Sequence, residues 1–421
     1  MTARSATSER GAVLIFVAIA LFGLLAFATF VVDYGVLWAA RGGAQNAADA
    51  GALAGAGSLA RGQTNAHAYD AALELTKRNA VFDAAATNPN ITVTVPLACP
   101  IPFSATPPNM SCVKVDVQRQ DVPTFFGKML NIQTQGVKAT ATAIAGQGNS
   151  TQCIKPWVVA DKWIDNSGTG LNTSGWDQMD QFDPGVDTYA APGFKATGPG
   201  NDFGTQLVLK AGVTGTWSAG WTMEIDFGVS GSSAYKDALK GCPSFVPTVG
   251  LYDGTSPCSV ASDAAPEKGC LSVKTGMSQG PTSQGVSTDT ASQPPPSIVN
   301  QDPGAYFDTT TNKIAGGCMG AGTCQISPRV VPIAIFDTTA YINTNCSGTN
   351  CVARVVNIIG FFVEGMCDEV YPNGTQPAYC GTNAQAQKMV VGRLINYPAQ
   401  STGIAGAPGP ASFITVVKLI R

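Results

Sequence analysis

Twelve cysteines, a single histidine and a thin scatter of carboxylates are the groups in this 421-residue chain with chemistry to offer. The cysteines are Cys99, Cys112, Cys153, Cys242, Cys258, Cys270, Cys318, Cys324, Cys346, Cys351, Cys367 and Cys380. No two stand in CxxC spacing, which argues against a thioredoxin-like redox pair or a zinc knuckle. An even number instead fits disulfides made in an oxidising compartment. Near neighbours suggest the pairs Cys99 with Cys112, Cys258 with Cys270, Cys318 with Cys324, Cys346 with Cys351 and Cys367 with Cys380, leaving Cys153 and Cys242. Connectivity is not set by sequence alone. One imidazole, His67, argues against most zinc sites and most acid–base catalysis. No Gly-x-Ser-x-Gly elbow and no P-loop is present. Asp226, Asp302, Asp308 and Glu364 lie in or beside strand-like segments. A glycosidase needs two such carboxyls converging at a set separation, whereas solvated surface acids are the plainer reading. Turns such as Asp253-Gly254 and Asn373-Gly374 offer oxygen ligands for calcium, without an EF-hand pattern behind them. No catalytic residue, metal ligand or cofactor is therefore assigned.

Composition narrows the classes further. Charged residues make up 13% of the chain, against about 25% in an ordinary soluble domain. Net charge is −3 and no basic tract occurs, so nucleic acid is not an expected partner. The 47 glycines and 27 prolines suit many short strands joined by turns.

The element that must position everything else is Gly11 to Val32, GAVLIFVAIALFGLLAFATFVV, which holds no charge. At about 1.5 Å rise per residue such a helix covers roughly 33 Å, enough for a bilayer core. A secretory signal peptide is the competing reading, but its apolar core is only about 7–15 residues long. The expectation is a retained span with the lipid bilayer as partner. Arg4 and Arg10 precede it and Asp33 follows it, which puts residues 1–10 in the cytoplasm and the rest outside.

Residues 33 to 60 read as an outward continuation of the same helix, a stalk rich in alanine and glycine. Small residues four apart, Gly51 and Gly55, allow close backbone approach to a neighbour, including self-association between helices. A solvated stalk is the alternative. Residues 61 to 148 read as a small α/β unit. Asn65 to Phe82 is its helix, capped at Thr64 or Asn65, with Ala68, Ala72, Leu75 and Val81 on one face. Ile91–Val95, Val113–Val117 and Gly136–Ala145 are its strands, Pro123 opens a short helix, and Phe125 and Phe126 are expected in the core. From 149 to 421 short strands alternate with turns. The candidates are 206–210, 221–227, 246–251, 330–336, 352–363, 388–394 and 413–419. In Trp221–Phe227 the apolar side chains alternate with Glu224 and Asp226, expected to face water. The Ser/Gln/Pro-rich run 277–299 reads as a surface loop, or as a linker dividing this part. The fold class is α+β: one transmembrane helix continuing into a stalk, a small α/β unit, and a β-rich, sandwich-like body.

The motif Arg10-Gly11, the apolar run, Val32-Asp33-Tyr34-Gly35, and then Gln45-Asn46-Ala47-Ala48-Asp49-Ala50-Gly51-Ala52 resembles the N-terminal region of TadG-like Flp pilus-assembly proteins. The resemblance covers roughly the first fifty residues, with Gly11, Asp33, Gln45, Asn46 and Asp49 as its marker positions. A looser likeness to longer members of the group runs through Val122–Phe126, Lys138–Ala145 and Cys153–Trp163. The family implies a bacterial inner-membrane protein with a periplasmic or extracellular body and other Flp pilus-assembly proteins as partners. Some relatives carry a von Willebrand factor A domain with an Asp-x-Ser-x-Ser metal site. That motif is absent here: the string from Asp226 to Ser233 has the wrong spacing. Pilins of this machinery are cut by a peptidase that requires an acid at the fifth mature position. Cleavage after Gly11 or Arg10 puts Phe16 or Ile15 there, so an uncut anchor is expected rather than a minor pilin subunit. The resemblance thus implies a non-enzymatic, membrane-anchored component of Flp pilus assembly and tight adherence. The competing function is a membrane-tethered carbohydrate-binding or hydrolytic protein using the β-rich body.

Overall fold

The computed structural model describes residues 8–60, 63–81, 90–97, 99, 111–169, 175–196, 200–211, 221–228, 231–242, 248–274, 278–289, 294–324, 326–342, 351–370, 380, 389–398 and 413–420. The chain divides into two compact units. The first comprises 1–104, 110–145 and 417–421, and the second comprises 105–109 and 146–416.

The first unit is built on α1 (Ser8–Ala60), a single unbroken helix of 53 residues. Its two halves meet different surroundings. From Val13 to Val32 every large apolar side chain is exposed, for example Phe16 at 72% and Phe22 at 76%. Further along, Ala40, Ala44, Ala47, Ala48, Ala52 and Ala56 are fully buried. Their spacing of three to four places them on one stripe of the helix. They pack on α2 (Asn65–Arg78) and on an antiparallel sheet of β1 (Ile91–Leu97), β2 (Ser111–Pro123) and β3 (Thr134–Gln147). Methyls on the helix meet Val113, Val115 and Val117 of β2 and Ala139, Ala141, Ala143 and Ala145 of β3. At about 0.8 kcal/mol per buried carbon, the six helix methyls supply about 5 kcal/mol of transfer free energy. The C-terminal strand, Ile414–Ile420, lies next to β3 in this sheet, so Val417 and Leu419 belong to the first core rather than to the β-rich body.

Gly51 and Gly55 explain the close α1–α2 approach. A Cβ on Gly51 would sit 1.9 Å from Thr76 Oγ1 and 2.9 Å from the Ala72 carbonyl oxygen. On Gly55 it would sit 2.8 Å from Val113 Cγ1 and 3.0 Å from the Ala68 carbonyl oxygen. The neighbour of this small-residue face lies within the chain itself. α2 starts where expected, with Thr64 Oγ1 accepting from the His67 amide at 3.3 Å. Its buried face is Ala68, Ala72 and Thr76, whereas Leu75 is 37% exposed. The helix ends at Arg78, and Phe82 lies outside the described residues. Pro123 ends β2 rather than opening a helix; the 3₁₀ turn begins at Gly127.

The second unit holds β4 (Ser150–Thr151), β5 (Trp157–Ala160), β6 (Gln206–Ala211), β7 (Trp221–Ile225), β8 (Val249–Gly250), β9 (Cys270–Lys274), β10 (Ala305–Asp308), β11 (Lys313–Gly316), β12 (Val330–Phe336), β13 (Cys351–Met366), β14 (Val390–Ile395) and β15 (Tyr397–Pro398). Pairing runs β12–β5–β7–β6–β14–β13 and back to β12, so six strands of the mixed sheet close into a ring. β9 bridges β7 and β13 directly. Both faces of these strands are covered, which is why β12 reads VVPIAIF without alternation. Its Val331, Ile333 and Ile335 join one cluster with Phe361 and Leu239, while Ala334 and Phe336 join another with Met223 and Ile358.

Two sequence expectations fail here. Glu224 and Asp226 do not face open water. Glu224 is half-buried and accepts from the Ser278 amide, and Asp226 pairs with Lys274 at 3.3 Å. The described part of 277–299 is neither loop nor linker. It forms helical turns, Gln279–Ser283, Gln284–Thr288 and Ile298–Gln301, that seal the sheet with wholly buried Thr282, Val286 and Ile298. Hydroxyls that hydrogen-bond locally let this polar run be buried: Thr282 donates to the Ser278 carbonyl at 2.7 Å.

The structure forms the disulfides Cys99–Cys112, Cys153–Cys242, Cys258–Cys270, Cys318–Cys324 and Cys367–Cys380. Cys351 is also disulfide-bonded, and Cys346 lies outside the described residues.

The glycine packing has a direct test. Gly51→Ala and Gly55→Ala are each expected to lower the thermal stability of the first unit by about 1–3 kcal/mol through overpacking. Gly42→Ala, with nothing within 4 Å, is expected to be neutral or to stabilise by up to about 1 kcal/mol through helix propensity. Thermal unfolding of the detergent-solubilised chain, followed by circular dichroism, separates the two outcomes.

Candidate functional site

The marker positions of the N-terminal motif fall along one helix, and the structure brings two of them to distant backbone. Asp33 stands one residue past the apolar run. Its carboxylate accepts from the amides of Phe125 at 2.7 Å, Phe126 at 3.1 and 3.2 Å, and Gly127 at 2.6 Å. These amides open the 3₁₀ turn Gly127–Leu130, whose first N–H groups have no partner inside the turn. Asp33 thus acts as a cap supplied from 92 residues away. Partial desolvation pushes its pKa up, but hydrogen bonds from the Phe125, Gly127 and Phe126 amides outweigh this and hold it below the ordinary carboxylate range.

Gln45, three helical turns on, donates from Nε2 to Asp49 Oδ1 at 2.7 Å and to the Thr140 carbonyl of β3 at 3.3 Å. It therefore ties the helix to the sheet while Asp49 orients it. Asn46 is exposed. Gly11 lies in the first turn of α1. Sequence reasoning missed the partners of Asp33 and Gln45, since no local signal links position 33 to 125 or 45 to 140.

The same geometry overturns the expectation for Phe125 and Phe126. They are 56% and 39% exposed, and Ile132 beside them is 41% exposed. The turn is nevertheless closed from within. Thr124 N donates to the Gln133 carbonyl at 3.2 Å, and Ile132 N to the Gly127 carbonyl at 2.9 Å.

In the second unit the four candidate carboxylates are each engaged by structural partners. Asp226 pairs with Lys274, as above. Asp302 is buried and accepts from the Cys318 amide at 2.8 Å and from the Ser327 hydroxyl. Asp308 closes a turn with the Thr310 amide at 2.8 Å and the Thr311 hydroxyl at 2.7 Å. Glu364 takes Arg393 at 2.8 Å and Gln206 at 2.6 Å. Asp253 accepts from the amide and hydroxyl of Thr255; Asn373 and Gly374 lie outside the described residues. Among the described residues, Asp302, Cys318 and Cys324 converge as a metal-like group, but both sulfurs are spent in their disulfide. A cavity of ≈ 440 Å³ is lined by Tyr189, Asp337 and Arg354 among others, and Asp337 faces Arg354 at 3.7 Å.

Two buried charges stand out. Asp161 accepts from Gly193 N, Phe194 N, Tyr189 Oη and Lys162 N at 2.6–2.9 Å, yet burial pushes it up to about 6. Lys155 donates to the Gly241 carbonyl at 2.8 Å, and burial lowers it to about 7.

Comparison with known families bears on the first unit alone. Residues 11–58 match the family of Flp pilus-assembly TadE/G-like proteins, and residues 54–143 match a second, Tad-like Flp pilus-assembly family. The two matches overlap at 54–58, and the second ends at the edge of the first unit. No curated protein and no solved structure matches the chain.

Two measurements check the electrostatics. Asp33→Ala should speed amide hydrogen exchange at Phe125–Gly127 by roughly tenfold, the loss of one good cap, and leave Val113–Val117 unchanged. For Lys155 the folded pKa lies below the unfolded one, so between pH 7 and 10.5 the unfolded chain holds the extra proton. Stability of the second unit therefore rises with pH across that window. Lys155→Met should flatten this rise, read from denaturant midpoints at pH 6.5, 8 and 9.5.

Proposed function

From an N-terminal region that is Tad-like over residues 11–143, we propose that this chain is a non-catalytic, single-span component of Flp pilus assembly. Its residues 1–10 face the cytoplasm, and the chain beyond Val32 stands outside the inner membrane as a structural or interaction body. The observation that carries this reading is the division of α1. One continuous rod exposes its large side chains where it is most apolar, and packs one stripe against protein where it is richest in alanine. An apolar rod of this length, left uncovered by the described residues, is at its lowest free energy among lipid chains. Disulfides along the remainder suit an oxidising compartment.

The alternative, a tethered hydrolase or glycan binder, has less support. Its four candidate carboxylates are engaged in ion pairs, turns and buried hydrogen bonds. The expected partners are other proteins of the pilus-assembly machinery, approached through the body outside the membrane.

Deletion of the chain in its host bacterium is expected to reduce the number of surface pili and adherence, and re-expression of the full chain to restore both. Pili counted by electron microscopy at wild-type number and length, with unchanged adherence, would count against the reading. Membrane fractionation with alkaline extraction tests the anchor separately, since a retained span stays in the pellet.

A further inference from the structure

We infer that the β2–β3 turn, residues 124–133, is a bilayer-docking tip that seats Phe125 and Phe126 in the outer lipid headgroup region. This rests on the reading of α1 as a retained span.

Three observations carry it. First, the tip is built rather than loose. Thr124 and Ile132 close it by backbone hydrogen bonds, and Asn131 takes the left-handed conformation at φ 64° that ends the 3₁₀ turn. A closed turn that still presents Phe125, Phe126 and Ile132 to its surroundings holds apolar surface out deliberately. Second, its height along the helix is set. Asp33 immediately follows the last residue of the apolar run, and it grips three successive amides of the tip. A helix rises about 1.5 Å per residue, so those amides sit at the level where the hydrocarbon ends. Third, the helix at that level carries the residues of an interface. Phe30, Tyr34 and Trp38 form a column with ring centroids 6.1 and 6.4 Å apart, and Tyr34 and Trp38 are exposed. Aromatic rings with a polar tip collect at the edge of the bilayer. Exposed Lys128, in the same turn as the two phenylalanines, suits anionic headgroups.

The chemistry points to lipid rather than to a protein groove. The exposed groups include two adjacent rings, Ile132 and a lysine among uncharged polar residues, continuous with a surface already suited to lipid through Asp33. Docked, the tip gives the helix a second footing beside the span and limits its tilt, which a single rod through a bilayer does not control.

The test uses the full chain reconstituted in vesicles of phosphatidylethanolamine and phosphatidylglycerol. The photoreactive p-benzoylphenylalanine replaces one aromatic residue at a time. Positions Phe125 and Phe126 are the probes, Phe27 within the span is the positive control, and exposed Tyr69 on α2, level with Gly55 far along the helix, is the negative control. Mass spectrometry reads the adducts after irradiation. The expected result is a lipid adduct at 27, 125 and 126 and none at 69, with the adducts at 125 and 126 falling severalfold when Asp33→Ala is added. An adduct at 27 with none at 125 or 126 overturns the inference and leaves the anchor standing. So does an adduct to a second copy of the chain in place of lipid at 125 and 126. No adduct at 27 overturns the anchor itself.

Discussion

A single helix has to satisfy two different neighbours, and the arrangement of the first unit follows from that. The half from Val13 to Val32 offers bulky apolar side chains in every direction. Such a surface suits an apolar solvent, as the proposed span requires. The half from Ala40 onward offers methyls and glycines along one stripe, a surface that is poor in lipid-facing bulk but well shaped for close contact with protein. The change happens over a few residues around Asp33, and the carboxylate there does two things at once. It ends the uncharged run, and it completes the hydrogen bonding of a turn that lies far away in sequence.

Small residues make the packed half possible. An alanine contributes little transfer free energy, so larger side chains would bury more area. They would also push α2 and the sheet away from the helix, and the hydrogen bond from Gln45 to the Thr140 carbonyl would be lost. Gly51 and Gly55 cost the helix conformational stability, and the contacts with Thr76, the Ala72 and Ala68 carbonyls and Val113 offset that cost. The valines of β2 and the small alanines of β3 join the helix alanines in one buried cluster, so the helix can lie close to the sheet.

The second unit follows a different logic. Its strands are covered on both faces, and its pairings close on themselves, which leaves the ring strands without a free edge within that ring. Charges inside it are held by backbone groups. Arg329 donates to the carbonyls of Val363, Ala305 and Glu364, and Asp161 accepts from three amides and a phenol. These charged groups fix the paths of connecting segments, a structural use of residue types that in isolation resemble chemistry. Asp302 has the same structural use, and so does Glu364, through the side chains of Arg393 and Gln206.

The sequence alone determined the features that depend on near neighbours. An uncharged run of 22 residues sets a span length, a spacing of three to four sets a helical stripe, and alternation sets β1, β2 and β3. The capping threonine at 64 was legible for the same reason, because a cap and its helix are adjacent. Tertiary structure decided what depends on partners far along the chain: which backbone Asp33 holds, what lies against Gly51, where the C-terminal strand pairs, and whether 277–299 is covered. Phe125 and Phe126 show why. A phenylalanine in a core and one held out on a turn are the same letters in the same local pattern. Only the distant carboxylate at position 33, which anchors the turn by its amides and leaves the rings outside, distinguishes them.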